Sequence, residues 1–205
     1  MSIIHYFSKD PDKRARFIFN FIAGIYGKAD LTLSKGFWES TKVLEQQIGI
    51  KGKNVLDVGS GSGSWSANFV RMGAQEVQGI DFSRKMVLQA QKQHKQIKFQ
   101  LGDAEDLHQF ADNSFDIVTA SFMLHGVKEE KRERMLKEMK RVSRKHVVLH
   151  DFIGKTPLFV RFLEFLEQSD YKHFKKNFEK EMQKYFSHTQ VISTRFGSGL
   201  YIGSN

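Results

Sequence analysis

The chain has 205 residues, 40% hydrophobic and 27% charged, the balance of an ordinary globular α/β domain with a few additions. It contains no cysteine, which removes disulfides, thiolate metal sites and cysteine nucleophiles together and fits a reducing compartment. The formal charge of +9 is uneven: residues 1–127 carry 15 Lys+Arg against 13 Asp+Glu, whereas residues 128–205 carry 17 against 10. A solvated basic face is the plain reading of that excess, with attraction to nucleic acid or an anionic membrane surface as the sharper ones.

The N-terminal part predicts helices over roughly 11–26 and 36–48. Its apolar stretch Phe17–Tyr26 is interrupted by Asn20 and is about half the length of a membrane span. Lys13, Arg14 and Arg16 precede it, but no small-residue cleavage site follows, so the expectation is a soluble, cytoplasmic protein without a signal peptide. Strands and helices then alternate. Candidate strands are "NVLDV" (54–58), "EVQGID" (76–81), "IKFQLGD" (97–103), "FDIVTASF" (115–122) and "HVVLHDF" (146–152). Between several of them lie helix-like runs, the last carrying an apolar stripe of Met135, Leu136, Met139 and Val142. Val- and Ile-rich strands separated by crossovers of helical length imply a mostly parallel, doubly wound sheet with helices on both faces.

Residues 156–186 predict two further helices. The second carries Tyr171, Phe174, Phe178, Met182 and Tyr185 on one stripe, with Lys172, Lys175, Lys176, Lys180 and Lys184 outside it. Core packing is the default for such a stripe, and the lysines make the helix basic and amphipathic, suited to weak peripheral contact with a membrane surface. The final runs "TQVISTRF" and "LYIGSN" are separated by a short glycine turn, too little chain for a helical crossover, so they should pair antiparallel. The expected architecture is therefore a Rossmann-like α/β fold with a seven-stranded sheet whose last strand is antiparallel. It divides into a helical lid region (1–50), a cofactor-binding core (51–152), a helical insertion (153–187) and a terminal hairpin (188–205).

The motif with chemical content is "DVGSGSG", which follows the first strand. Glycine lets a ligand approach the backbone with no Cβ in the way and accepts positive φ. A dinucleotide fingerprint wants G-x-G-x-x-G, but the sixth position counted from Gly59 is Ser64 and from Gly61 is Ser66. Asp57 instead gives D-x-G-x-G-x-G. An acid there would repel a pyrophosphate and suits a ligand bearing ammonium and sulfonium groups. Asp81 ends the second strand, where a carboxylate can accept both ribose hydroxyls. Asp103 follows the third strand, where it can accept from an adenine amino group, with the Ala104 N–H reaching a ring nitrogen. Phe82 could cover one adenine face.

The segments "VLDVGSGSG", "VQGIDFS", "LGDAEDL", "FDIVTASFMLHGV" and "VVLHDF", in this order, make the chain resemble the class I S-adenosylmethionine-dependent methyltransferases. "FNFIAGIYGK" and "GSGLYIGS" make it resemble more narrowly the ubiquinone/menaquinone C-methyltransferase-like branch. The resemblance implies S-adenosylmethionine as cofactor, held by Asp57, Gly59, Ser60, Gly61, Gly63, Asp81, Phe82, Ser83, Asp103, Ala104 and Ser121. It implies methyl transfer to a small, partly hydrophobic acceptor, by in-line displacement in which alignment and desolvation supply much of the acceleration. Tyr26, His125 and His150 are the catalytic candidates, with Asp151 beside them at the end of the fifth strand. Trp65 reads as helix packing.

Alternatives are an RNA or protein methyltransferase using the basic C-terminal part, a non-catalytic S-adenosylmethionine-binding protein and, more distantly, an NAD-dependent oxidoreductase. Nucleic acid is not the expected partner, because "ASFMLHGV" is not an N-P-P-Y type of motif and no RNA-binding module is recognisable. No obligate protein partner is evident. The eight histidines show no H-E-x-x-H spacing, so no metal site is expected.

Overall fold

A computed structural model describes residues 35–153 and 170–205. The expected lid helix 11–26, with Tyr26, and the first helix of the insertion lie outside the described residues. In chain order the described elements are α1 (35–48), β1 (Asn54–Val58), α2 (Ser64–Arg71), β2 (Glu76–Asp81), α3 (Arg84–Gln93) and β3 (Lys98–Leu101). Then come β4 (Phe115–Ser121), α4 (Glu129–Val142), β5 (Ser143–Phe152), α5 (Tyr171–Gln183), β6 (His188–Ser193) and β7 (Ser198–Ser204).

The seven strands form one sheet in the order β3-β2-β1-β4-β5-β7-β6. The first five run parallel, and β7 is antiparallel to both β5 and β6. The hairpin therefore forms as expected, with its second strand inserted beside β5. The order reverses between β1 and β4, and that switch point is where doubly wound sheets bind ligands.

Alternate residues along each strand face opposite sides, so the sheet builds two cores. On one side Val147, Leu149 and Tyr201 meet Leu136 and Met139 of α4 and Phe174, Phe178 and Met182 of α5. On the other, Val55, Val77, Val148 and Leu200 meet Leu44 of α1, Trp65 and Phe69 of α2 and Val87 and Ala90 of α3. Both stripes read from the sequence are thus core: Phe174 and Phe178 have 0% and 1% of their surface exposed, and each such ring stabilises the fold by about 2–3 kcal/mol.

Several strand limits differ from the sequence reading, those of β3 and β5 among them. β3 is shorter than 97–103: its pairing with β2 ends at Leu101, and the Gly102 N–H on the Asp81 carbonyl is the last rung of that ladder. β5 is longer than 146–152: α4 runs directly into Ser143, and the β4–β5 register shifts between Phe115 and Ile117 to admit this polar entry.

Candidate cofactor site and active site

The glycine turn stands at the carboxyl end of β1. Gly61 has φ +52, and a Cβ built on it would meet nothing within 4 Å among the described residues, which leave space open along that direction. Gly63 differs. It has φ +84 as the N-cap of α2, and a Cβ there would lie 2.6 Å from Phe99 Cζ and 2.9 Å from His94 Cδ2. The first faces open space and the second allows α2 to pack. Gly59 lies against the Met123 thioether, so the end of β4 braces the turn from behind.

Asp57 has no exposed surface. Its Oδ2 accepts from the Ser66 hydroxyl, while Oδ1 has no hydrogen-bond partner among the described residues. Burial raises its pKa from 3.8 to about 7, with the neighbouring Asp81 adding to the effect. Among the described residues the buried Ser60 Oγ is also without a partner. Two orphaned polar atoms beside an open Gly61 fit a polar, cationic ligand, since buried polar groups are otherwise paired.

Asp81 is 6% exposed, and its carboxylate joins two turns. Oδ2 accepts from Gly61 N–H at 2.9 Å and Oδ1 from Ser83 N–H at 2.8 Å. Burial raises its pKa, and those two N–H bonds oppose the rise. Ser83 in turn caps α3, accepting from Met86 N–H at 3.4 Å. Phe82, between them, is half-buried. Asp103 is exposed at the rim, with Oδ1 accepting from Glu105 N–H at 3.0 Å, and Ala104 packs against the core. Ser121 ends β4, its Oγ 3.4 Å from His150 Nδ1.

The two histidines fall on opposite faces of the sheet. His150 is 2% exposed and stacks on Trp65, ring centroids 4.9 Å apart. Its Nε2 lies 3.2 Å from Ser40 Oγ and 3.3 Å from Ser198 Oγ. Burial depresses its pKa from 6.5 to about 4, so at neutral pH it is an uncharged ring held among hydroxyls. Asp151 points the other way. Its Oδ1 lies 2.7 Å from His125 Nδ1, and its Oδ2 accepts from the His125 backbone N–H at 3.3 Å. A carboxylate accepts and does not donate, so Nδ1 carries the proton and Nε2 is the basic nitrogen of the ring. Phe152, Tyr171 and Phe174 surround this histidine with centroids 4.9, 6.2 and 6.3 Å away.

Sequence reasoning missed three features. The first is Phe122, which takes φ +48 just after β4, an outlier for an aromatic residue. The second is Ser66, the hydroxyl that holds Asp57. The third is the fully buried Arg132, paired with Glu181 through Nε–Oε2 at 2.7 Å and Nη2–Oε1 at 2.9 Å. A signal for it existed: Arg132 occupies the next helical step of the stripe Met135, Leu136, Met139 and Val142. Glu129, His173 and Glu181 bring donor atoms within 4.8 Å of one another, a grouping the absence of a metal motif did not suggest. Their carboxylates are already engaged, Glu181 by Arg132 and Glu129 by Lys184 at 3.3 Å, which makes the group an ion-pair cluster.

Residues 55–146 match the family model described as a methyltransferase domain. The demethylmenaquinone methyltransferase of Renibacterium salmoninarum is 37% identical over 66% of this chain and 56% of its own length. The ubiquinone/menaquinone biosynthesis C-methyltransferase of Bdellovibrio bacteriovorus is 34% identical over 75% of this chain and 68% of its own. The chain thus spans little more than half to two thirds of these relatives. Among solved structures, magnesium protoporphyrin IX methyltransferase from Synechocystis PCC 6803 with bound S-adenosylmethionine superimposes with a TM-score of 0.72 at 22% identity, over 97% of this chain and 99% of that one. A putative S-adenosylmethionine-dependent methyltransferase from Methanococcus maripaludis gives the same score at 16% identity, covering 93% of each chain.

The chain belongs to the class I S-adenosylmethionine-dependent methyltransferase family, whose cofactor is S-adenosylmethionine. Within it, the likeness is to the ubiquinone/menaquinone C-methyltransferase branch.

Proposed function

We propose that this protein transfers a methyl group from S-adenosylmethionine to a small, partly hydrophobic acceptor of quinone or porphyrin type. The observation that carries the reading is a cationic-ligand turn at the switch point, set near a buried His125–Asp151 pair with an aromatic surround. The names of the relatives, which act on quinones, and of the structural neighbour, which acts on a porphyrin, favour that acceptor class.

When bound, the cofactor supplies an activated methyl group on a sulfonium that is itself a good leaving group. The chain's own residues then have three tasks. Asp57 and Ser60 meet the polar end of the ligand, and Asp81 holds the turn by the Gly61 N–H. Phe122, Phe152 and Tyr171 exclude water around the acceptor and favour a flat apolar ring. His125, oriented by Asp151, accepts a proton at Nε2 from an acceptor that must lose one. In this reading His150 is a structural support, because its ring nitrogens already sit among three hydroxyls.

Two finer points belong to the same proposal. The protein works in the cytoplasm, a reading supported by the cysteine-free sequence. Exposed Lys172, Lys176 and Lys180, spaced at one helical turn along α5, support weak contact with an anionic membrane surface where apolar acceptors reside. Among the described residues no helix is long and apolar enough to cross a membrane.

The test offers labelled S-adenosylmethionine with a demethylmenaquinone analogue, with magnesium protoporphyrin and with bulk RNA at physiological ionic strength. Label should enter one of the small acceptors and be lost with His125→Ala. Incorporation into RNA, where phosphate contacts are weakened by salt, would overturn the small-acceptor reading.

A further inference from the structure

Arg132 lies on α4 with its side chain entirely withdrawn from solvent. Its guanidinium spends its donors in three directions. Nε and Nη2 form the two-pronged pair with Glu181 of α5, and Nη1 and Nη2 both reach Asp170 Oδ2 at 3.3 Å, where the chain enters α5. Nη1 also donates to the Leu124 carbonyl at 3.4 Å and to the Val127 carbonyl. Taking such an ion pair out of water is costly, and hydrophobic residues of similar volume often serve stability as well or better. Fold stability alone therefore does not account for the arrangement.

What the guanidinium reaches does account for it. Leu124 and Val127 flank His125 and Gly126 in a short 3-10 turn, Leu124–Gly126. The turn's own bonds are long: Gly126 N–H to the Met123 carbonyl and Val127 N–H to the Leu124 carbonyl, both 3.3 Å. Asp151 holds the ring and the backbone N–H of His125, but those bonds fix one residue of the turn and leave its flanks to other anchors. Arg132 grips both of its flanking carbonyls and ties them to α5, the helix that supplies Tyr171 and Phe174 around that ring.

We propose that Arg132 is a positioning residue: with Glu181 it clamps the His125 turn to α5, so that His125 keeps its bond to Asp151 and its orientation. The functional consequence rests on the reading of His125 as proton acceptor; the positioning itself does not.

The test uses two variants of the full chain. Arg132→Met combined with Glu181→Leu removes both fully withdrawn charges together and leaves unpaired only Asp170, whose side chain is 26% exposed and reaches water. Arg132→Lys keeps a charge opposite Glu181 but loses the fork that spans two carbonyls. The readouts are the His125 Nδ1–H resonance in histidine-labelled protein, amide exchange at Gly126 and Val127, S-adenosylmethionine affinity by calorimetry, and kcat and KM with the acceptor analogue that the wild type methylates. In the double variant the Nδ1–H signal should be lost and exchange at both amides accelerated, with cofactor affinity unchanged. A displaced reacting group should lower kcat by roughly 100-fold while KM moves less. Arg132→Lys should fall between. A folded double variant with the His125 signal and both exchange rates as in wild type would overturn the proposal. If it does not fold, the same unchanged signals in Arg132→Lys would overturn it. Loss of the signal with kcat intact would leave Arg132 as the clamp and instead sink His125 as proton acceptor.

Discussion

Replacing Asp57 by Asn should stabilise the ligand-free protein at alkaline pH, although it removes a residue of the proposed cofactor site. Asp57 is fully buried, with one oxygen on Ser66 and the other unpaired, and burial raises its pKa from 3.8 to about 7. The folded state therefore holds this proton more tightly than the unfolded state does. Its contribution to stability is fully present below about 3.8 and is lost as pH rises through about 7. The interval corresponds to about 4 kcal/mol, of which about 2–3 kcal/mol falls between pH 5 and pH 8. Asn has no charge to desolvate and can still accept from Ser66, but its amide N–H groups take the place of an unpaired oxygen and cost about 1–3 kcal/mol. The net gain at pH 8 should be about 1–3 kcal/mol. Urea denaturation of both proteins at pH 5 and pH 8 measures the difference, and subtraction cancels the other titrating groups common to both. Wild type should lose about 2–3 kcal/mol more than Asp57→Asn over this range. Parallel pH dependences would show that Asp57 ionises without penalty and that its burial exacts nothing.

His150 should act in the opposite sense: its depressed pKa contributes stability that is present above 6.5 and lost as pH falls through about 4, about 3 kcal/mol in all. His150→Gln should flatten that acid limb in the same urea assay; an unchanged limb would mean the ring is protonated in place. Gly61→Val should abolish S-adenosylmethionine binding in a folded protein, with backbone strain of only about 1–3 kcal/mol, because its Cβ enters open space. Gly63→Ala should instead lower stability, by about 2–4 kcal/mol, because its Cβ meets Phe99 and His94; calorimetry and thermal melts together distinguish the two. Asp81→Ala should weaken the cofactor by about 1.5–3 kcal/mol, since it also frees the Gly61 and Ser83 N–H groups, and Asp103→Ala should cost less at its exposed position. The reverse ranking would make the Asp103 side the main anchor.

The sheet was legible because each buried strand is a short Val- and Ile-rich run and each crossover has its own period. β5 shows where that signal stops. Ser143, Arg144 and Lys145 have no strand pattern; α4 delivers the chain straight onto β4, where Ser143 pairs with Phe115 and the next two residues fall in the register shift. The glycine turn and its acids were equally legible as a motif, whereas their division of labour was not. Gly61 and Gly63 look alike in sequence, and only their surroundings separate ligand space from helix packing. His125 and Asp151 could each be named as candidates, but their pairing spans 26 residues and depends on Asp151 facing the opposite side of β5 from His150. Arg132 stayed hidden because a charged residue on a stripe reads as its polar edge until a partner, here Glu181 on another helix, is brought to it.

Phe122 joins the two faces of the site, and its strain makes a last claim that a ranking of variants can decide. The residue sits where β4 ends, with φ +48 and its N–H on the His150 carbonyl at 2.8 Å. Its ring centroid is 4.9 Å from those of both His150 and Phe152, and so stands between the histidine on one face and the aromatic surround of His125 on the other. The left-handed backbone costs a non-glycine residue about 1–2 kcal/mol, and the packing of the half-buried ring offsets it. Phe122→Ala loses the ring and keeps the strain; Phe122→Gly loses the ring and relieves it. Glycine should therefore be the more stable of the two by about 1 kcal/mol, the reverse of their order in regular helix or strand. Both variants should lose methyl transfer far more than cofactor affinity, because what they remove is the wall facing the acceptor. An alanine variant as stable as the glycine one would mean that the turn relaxes freely, and Phe122 would then hold no strain against the site.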